Sequence, residues 1–240
     1  MSRAILCCLS GDGNLTASLT SNGRPLFSIL SGSDGLLDFA ELSHESWRSY
    51  AARHGYHFTE AFLSPENENL GHPSWQKLWW IEQAITAKRA SDPGTWLCWV
   101  DADTVVTNRR LPLEDFVRMH AATWLIVSKD WSDGDSPWSA GVMLIRACAE
   151  AGMFFWEAQR RVEYMRTACW DQSAMQAVFR DRPELRGGLR VVQRRLLQSV
   201  PARDGVVDPW KPGDFVCHAT GLENRDKRAI LEAHLKLAVC

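Results

Sequence analysis

The chain has 240 residues, 45% hydrophobic and 23% charged, the proportions of an ordinary globular protein able to bury its own core. Lys and Arg number 27 against 29 Asp and Glu, and the net charge of -2 gives no general reason to expect nucleic acid or an anionic membrane surface as a partner. No apolar run approaches the roughly 20 residues that cross a bilayer, the N-terminal apolar stretch is too short for a signal peptide, and the seven cysteines are scattered without a CxxC pair, which argues for a reducing cytoplasm.

Arg3–Leu9 reads as a first buried strand, and Ser10–Gly35, rich in Ser, Gly and Asn, as mostly loop. Leu36, Phe39, Ala40, Trp47, Tyr50 and Ala51 recur at helical spacing, with a stop near Gly55. Tyr56–Phe62 is the next strand. A second helix follows Pro73, with Trp75, Leu78, Trp79 and Ile85 on one buried face, and closes at Ser91-Asp92-Pro93-Gly94. Thr95–Val100 is a continuous apolar run between turns, which suits a strand covered on both faces. Further strands are expected at Thr123–Ser128, Gly141–Ile145, Leu189–Gln193 and Phe215–His218, and helices at Ala147–Arg166, Asp171–Arg180 and Asn224–Leu237. This alternation, with no break in composition, implies a single α/β domain over residues 1–240 with a mainly parallel central sheet flanked by helices.

The most informative stretch is Trp99-Val100-Asp101-Ala102-Asp103-Thr104. Two carboxylates directly after a buried strand are costly unless paired, solvated or bound to a cation. Residues two apart on an extended chain share a side, so Asp101 and Asp103 converge while Ala102 faces away. They also sit at the carboxyl end of the strand, where open α/β sheets place their ligands. Their mutual repulsion is relieved by a hard divalent ion such as Mn²⁺ or Mg²⁺ with oxygen ligands. A solvated turn is the plain alternative. Asp-Ala-Asp-Thr-Val also fits the nucleophile motif of the haloacid-dehalogenase-like phosphatases, with Asp101 attacking phosphorus and Asp103 as acid/base. That reading needs a later acidic pair, and the best candidate, Gly213-Asp214-Phe-Val-Cys-His218, carries histidine there.

Several segments taken together resemble glycosyltransferase family 34, the galactosyl-, mannosyl- and xylosyltransferase group of the GT-A fold. Ser49-Tyr50-Ala51-Ala52-Arg53-His54-Gly55-Tyr56 is similar to its Tyr-Ala-x-x-His-Gly-Tyr stretch, Trp75-Gln-Lys77 to its Trp-x-Lys segment, and Trp99–Asn108 to its Asp-x-Asp block. Ser139–Arg146, Asp171-Gln172-Ser173-Ala174 and Gly213–Gly221 follow in family order. The chain departs from the pattern at Ser139, where asparagine is usual, at Trp170, where an acidic residue often stands, and at Gln198-Ser199 in place of Asn-Ser.

The resemblance implies transfer of a sugar, with retention, from a nucleotide-diphosphate sugar (a UDP- or GDP-sugar) to a glycan or other hydroxyl acceptor, with Mn²⁺ or Mg²⁺ as cofactor. It places Asp101, Asp103 and His218 on the metal. Tyr50, Lys77, Asp101, Ala102, Asp103, Ala140, Gly141, Gly221 and Lys227 fall on the donor. Lys77, Arg225 and Lys227 are the candidates to neutralise the diphosphate, and Gly141 and Gly221 to let backbone approach it. Asp171 and Gln172 fall beside the reacting carbon, although Asp171 at a helix start also suits an N-cap. Of the 12 tryptophans, Trp75, Trp79, Trp96 and Trp99 read as core, and Trp131, Trp138, Trp170 and Trp210, in or beside motif loops, as sugar-stacking candidates.

Overall fold

The computed structural model of the chain describes residues 27–239 except 34, 36, 65–71, 92–94, 133 and 135. The expected strand at Arg3–Leu9, residue Leu36 and the helix-closing residues 92–94 therefore lie outside the described residues.

A six-stranded sheet forms the centre, in the order β2 (His57–Phe62), β1 (Ser28–Ser33), β3 (Trp96–Val100), β6 (Ser139–Arg146), β5 (Leu125–Ser128), β7 (Leu189–Val192). Pairing is parallel for β1 with β2, β1 with β3 and β5 with β7; β6 runs antiparallel to both its neighbours. The sheet is thus mainly parallel, as the alternation of elements implies.

Strand β1 overturns the expected loop. Its sequence Ser-Ile-Leu-Ser-Gly-Ser reads as polar, yet all six residues are buried. The serines pass unnoticed because small hydroxyls can be satisfied inside: His44 meets the Ser31 hydroxyl at 3.1 Å.

Helix α1 (Ala40–His54) ends at Gly55, whose left-handed φ of 73° lets its N–H reach the Ala51 carbonyl. Helix α2 (Pro73–Ser91) buries Trp75, Leu78 and Ile85 as its periodicity requires. Trp79 corrects the reading: it lies about 100° round the helix from Leu78 and is 47% exposed. A short helix, α3 (Leu113–Arg118), follows Pro112, where the sequence shows no helical periodicity long enough to predict one.

Helix α4 (Ala149–Ala158) stops eight residues before the expected Arg166, with one 3-10 turn at Val162–Tyr164 beyond it. Past Ala158 the polar Gln159-Arg160-Arg161 offers no apolar side chain to pack, and an unpacked helix of that length does not persist. Helices α2, α4 and α5 (Trp170–Asp181) pack together, with α2 on β1 and β3, while α1 packs on β1, β2 and α6 (Asn224–Leu235).

The late strand β8 (Val216–His218) does not join the central sheet. It pairs antiparallel with β4 (Thr104–Val106), the short strand after the acidic pair, in the register Thr104 to His218. Among the described residues no helix is long and apolar enough to cross a membrane.

Candidate active site

The site grows from two registers. Val100 faces Val142 across β3 and β6, and the Asp101 N–H donates to the Gly141 carbonyl at 2.8 Å. Three residues on, the β4–β8 ladder sets His218 beside Thr104, and the Ala219 N–H donates to the Asp103 carbonyl at 2.9 Å. Residues far apart in sequence are thereby locked side by side at the carboxyl end of β3.

The result is a cluster in which ligand atoms of Asp101, Asp103 and His218 all lie within 4.8 Å of one another. It forms part of the floor of a cleft of about 1070 Å³, lined also by Lys77, Ala102, Ala140, Gly141, Asp171, Gln172, Gly221 and Lys227.

Ion pairs string these groups together. The buried Lys77 ammonium lies 2.8 Å from Asp171 Oδ2 and 3.2 Å from Asp101 Oδ1, and donates to the Ala140 carbonyl at 3.4 Å. At the other end Asp103 Oδ1 faces His218 Nε2 at 3.1 Å and Asp103 Oδ2 accepts from Lys227 at 2.8 Å, while the Lys227 ammonium stands 5.2 Å from the centre of the Phe39 ring.

These partners set the charges. Burial works to lower the pKa of Lys77, but Asp101 and Asp171 outweigh it and raise it above the ordinary lysine value, so the ammonium stays charged. Burial pushes the Asp171 carboxyl up to about 6, with Lys77 opposing and Asp101 adding to the rise. Burial also works to raise Asp103, but His218 and then Lys227 overcome it and hold that carboxyl well below the usual range.

The donor set suits a hard divalent ion. His218 Nδ1 lies 2.8 Å from Gln198 Oε1, an oxygen that can only accept, so Nδ1 carries the proton and Nε2 is the atom turned to Asp103. A bare Nε2 lone pair against a carboxylate oxygen repels unless a proton or a cation lies between them. A divalent ion between them would take both atoms as ligands. Asp101 Oδ1 is occupied by Trp99 Nε1 at 2.6 Å and by Lys77, while its Oδ2 accepts no hydrogen bond among the described residues.

Several expected site residues are placed otherwise. Tyr50 is not in the cleft: it sits fully buried on the inner face of α1, in edge-on and tilted contact with the rings of Trp47, His54, Tyr56 and Phe215, with its hydroxyl donating to the Leu111 carbonyl. Arg225, its side chain 83% exposed, faces solvent beside Asp226. Gly141 lines the cleft and leaves room for the His218 ring, since a Cβ there would stand 2.1 Å from His218 Cε1.

Gly221 holds a left-handed φ of 68°, and a Cβ on it would meet Arg203 Nη2 at 2.6 Å. Asp171 is the second residue of α5, buried against Lys77, and no side-chain bond caps that helix. Gln172 spends its amide on the protein: Oε1 accepts from the Ala140 N–H at 2.8 Å, and Nε2 donates to Ser136 at 2.6 Å and Asp130 at 3.2 Å.

Of the stacking candidates, Trp131 and Trp170 line the cleft. Trp138 is buried in the core, and Trp210 packs in the smaller cluster with Val105 and Leu231, donating to Thr107 at 3.0 Å.

Two further residues belong to the site. Asp130, buried and lining the cleft, stands two residues past the end of β5, near the strand end as Asp101 and Asp103 are near that of β3, and that position is a readable signal. Gln198 stands in the sequence only as a departure from the family's Asn-Ser, and its contact with His218 exists only through the bridge that lays Ser199 beside Cys217.

Against known proteins, residues 29–135 match the model of the galactosyl transferase GMA12/MNN10 family. The resemblance read from the motifs is borne out over that stretch, which holds the Asp101–Asp103 block. No curated protein sequence matches the chain. A glycosyltransferase involved in glycosylation of the major capsid of PBCV-1 superposes with a TM-score of 0.63 at 20% identity, covering 85% of this chain and 98% of that one. The glycosyltransferase GlyE of Streptococcus pneumoniae TIGR4 superposes with a TM-score of 0.53 at 14% identity, over 86% of this chain and 52% of the other. The fold is of the GT-A type, and the family match on that fold indicates a glycosyltransferase. Nothing in these comparisons favours the phosphatase reading.

Proposed function

We propose that this glycosyltransferase, acting as one domain, moves a sugar from a nucleotide-diphosphate sugar to a glycan or other hydroxyl acceptor, with Mn²⁺ or Mg²⁺ held by Asp101, Asp103 and His218. The observation that carries the reading is the convergence of those three ligand sets within 4.8 Å on the cleft floor. When bound, the ion supplies Lewis-acid stabilisation of the charge that develops on the diphosphate leaving group, worth several kcal/mol.

The protein's own groups prepare that step. Lys227, now paired with Asp103, is within reach of a diphosphate and offsets its charge. Lys77 acts on Asp101 and Asp171 and not on the donor, because its short contacts are already with protein oxygens. It holds the Asp171 carboxylate at a fixed distance from the acidic pair, beside the reacting carbon. Gln172 ties α5 to β6 and keeps Asp171 in register with the cleft. Retention of anomeric configuration and a UDP- or GDP-sugar as donor rest on the family resemblance. The four described cysteines are free, which supports a reducing compartment as the place of work.

The test is donor hydrolysis without acceptor, followed with Mn²⁺ and with EDTA. The wild type releases nucleoside diphosphate only with the metal, and Asp103→Asn loses that activity. Turnover of phosphomonoesters through an aspartyl-phosphate, with no donor hydrolysis, would establish the phosphatase instead.

A further inference from the structure

A sugar acceptor needs its own footing in the cleft, and the ion-pair string shows where one exists. Read along the floor, the string runs from Asp171 through Lys77 to Asp101, and from Asp103 to Lys227 beside Phe39. The metal ligands lie in the middle, so Asp171 and Lys227 mark opposite ends. At the Asp171 end, the indole of Trp170 lies face to face with the imidazole of His72, centroids 4.1 Å apart and planes within 3°. Both residues line the cleft.

Both residues are anchored: Trp170 packs against the hydrophobic core, and His72 bonds to the start of α2. Trp170 is the first residue of α5 and directly precedes the anchored Asp171. It holds a φ of 23°, a conformation that a bulky residue adopts only when its surroundings impose it. His72 lies just before α2, and its Nδ1 accepts from the Ser74 N–H at 3.2 Å. The two rings cover one face of each other, so the stack offers a sugar its outer face, one residue from a buried carboxylate. The negative faces of such rings attract the polarised C–H groups on the apolar side of a pyranose, while the sugar's hydroxyls reach the carboxylate.

We infer, resting on the transferase reading above, that the Trp170–His72 stack is the acceptor-sugar subsite and selects a saccharide over a non-carbohydrate hydroxyl. The probes are methyl glycosides of xylose, glucose, galactose and mannose, added to protein carrying Mn²⁺ and UDP or GDP and observed by saturation-transfer NMR. At least one glycoside receives saturation at its ring C–H protons. Trp170→Ala weakens that binding about tenfold, Trp170→Phe keeps it within about threefold, and nucleoside diphosphate affinity changes little in either.

Unchanged glycoside binding in Trp170→Ala overturns the inference, and so does a loss confined to the nucleoside diphosphate, which would assign the ring to the donor. A wild type that hydrolyses donors with Mn²⁺ yet binds no glycoside also overturns it, leaving the transferase reading intact. Absence of donor hydrolysis defeats the transferase reading itself.

Discussion

Gly141→Ala isolates the metal site with a single methyl group. The added Cβ would stand 2.1 Å from His218 Cε1, 2.5 Å from Nδ1 and 2.9 Å from Gln198 Oε1. Carbon atoms in ordinary contact lie about 3.5 Å apart, so the imidazole must retreat by about 1.4 Å. Neither partner can give way cheaply: His218 is 3% exposed and is held in the β4–β8 ladder.

Overpacking of this kind costs about 1–3 kcal/mol of stability, and a ring displaced from its orienting partner costs roughly 10–100-fold in metal affinity. Calorimetric titration of Mn²⁺ in the presence of nucleoside diphosphate reads the affinity, and thermal denaturation reads the fold. Gly152→Ala serves as the control, since a Cβ there meets only ordinary contacts at 3.5 and 3.6 Å, from Arg89 and Ile85. A Gly141→Ala protein that binds Mn²⁺ as tightly as the wild type would show that His218 does not hold the ion.

Gln198→Leu removes the oxygen that fixes the His218 ring and lowers Mn²⁺ affinity by roughly 10–100-fold, whereas Gln198→Glu, still an acceptor, keeps it in the same titration. Lys77→Met leaves the Asp101 and Asp171 carboxylates without their shared cation and destabilises the fold by about 3–5 kcal/mol, read from the urea midpoint. The Asp171 carboxyl, raised by burial to about 6, gains a proton as pH falls through that value; if its carboxylate serves the reaction, transfer falls on the acid side of about 6. Asp171→Asn loses transfer across the whole range while its thermal unfolding stays cooperative.

What the sequence made legible was set by how locally each feature was encoded. Asp101 and Asp103 stood out because a five-residue buried strand delivers them, and neither burial nor position needed a distant partner. Strand β1 did not, because Ser28, Ser31 and Ser33 look solvent-bound until neighbouring strands enclose them. Tyr50 belonged to a readable motif whose work is packing, and Trp79 fell just off the face its neighbours bury. His218 could be named from its block, but its contact with Asp103 is made by the pairing of β4, a three-residue strand with no periodicity to detect. Gln198 was still further from view, since its role passes through His218.

The most direct measurement is the thermal unfolding of the protein with nucleotide sugars, with and without Mn²⁺. A donor held at 100 times its dissociation constant stabilises the fold by about 2.7 kcal/mol. That gain should appear for at least one UDP- or GDP-sugar with Mn²⁺, disappear with EDTA, and be absent in Asp103→Asn. A donor that stabilises the protein equally with and without the metal, or in Asp103→Asn as in the wild type, would contradict a metal-held diphosphate at Asp101, Asp103 and His218.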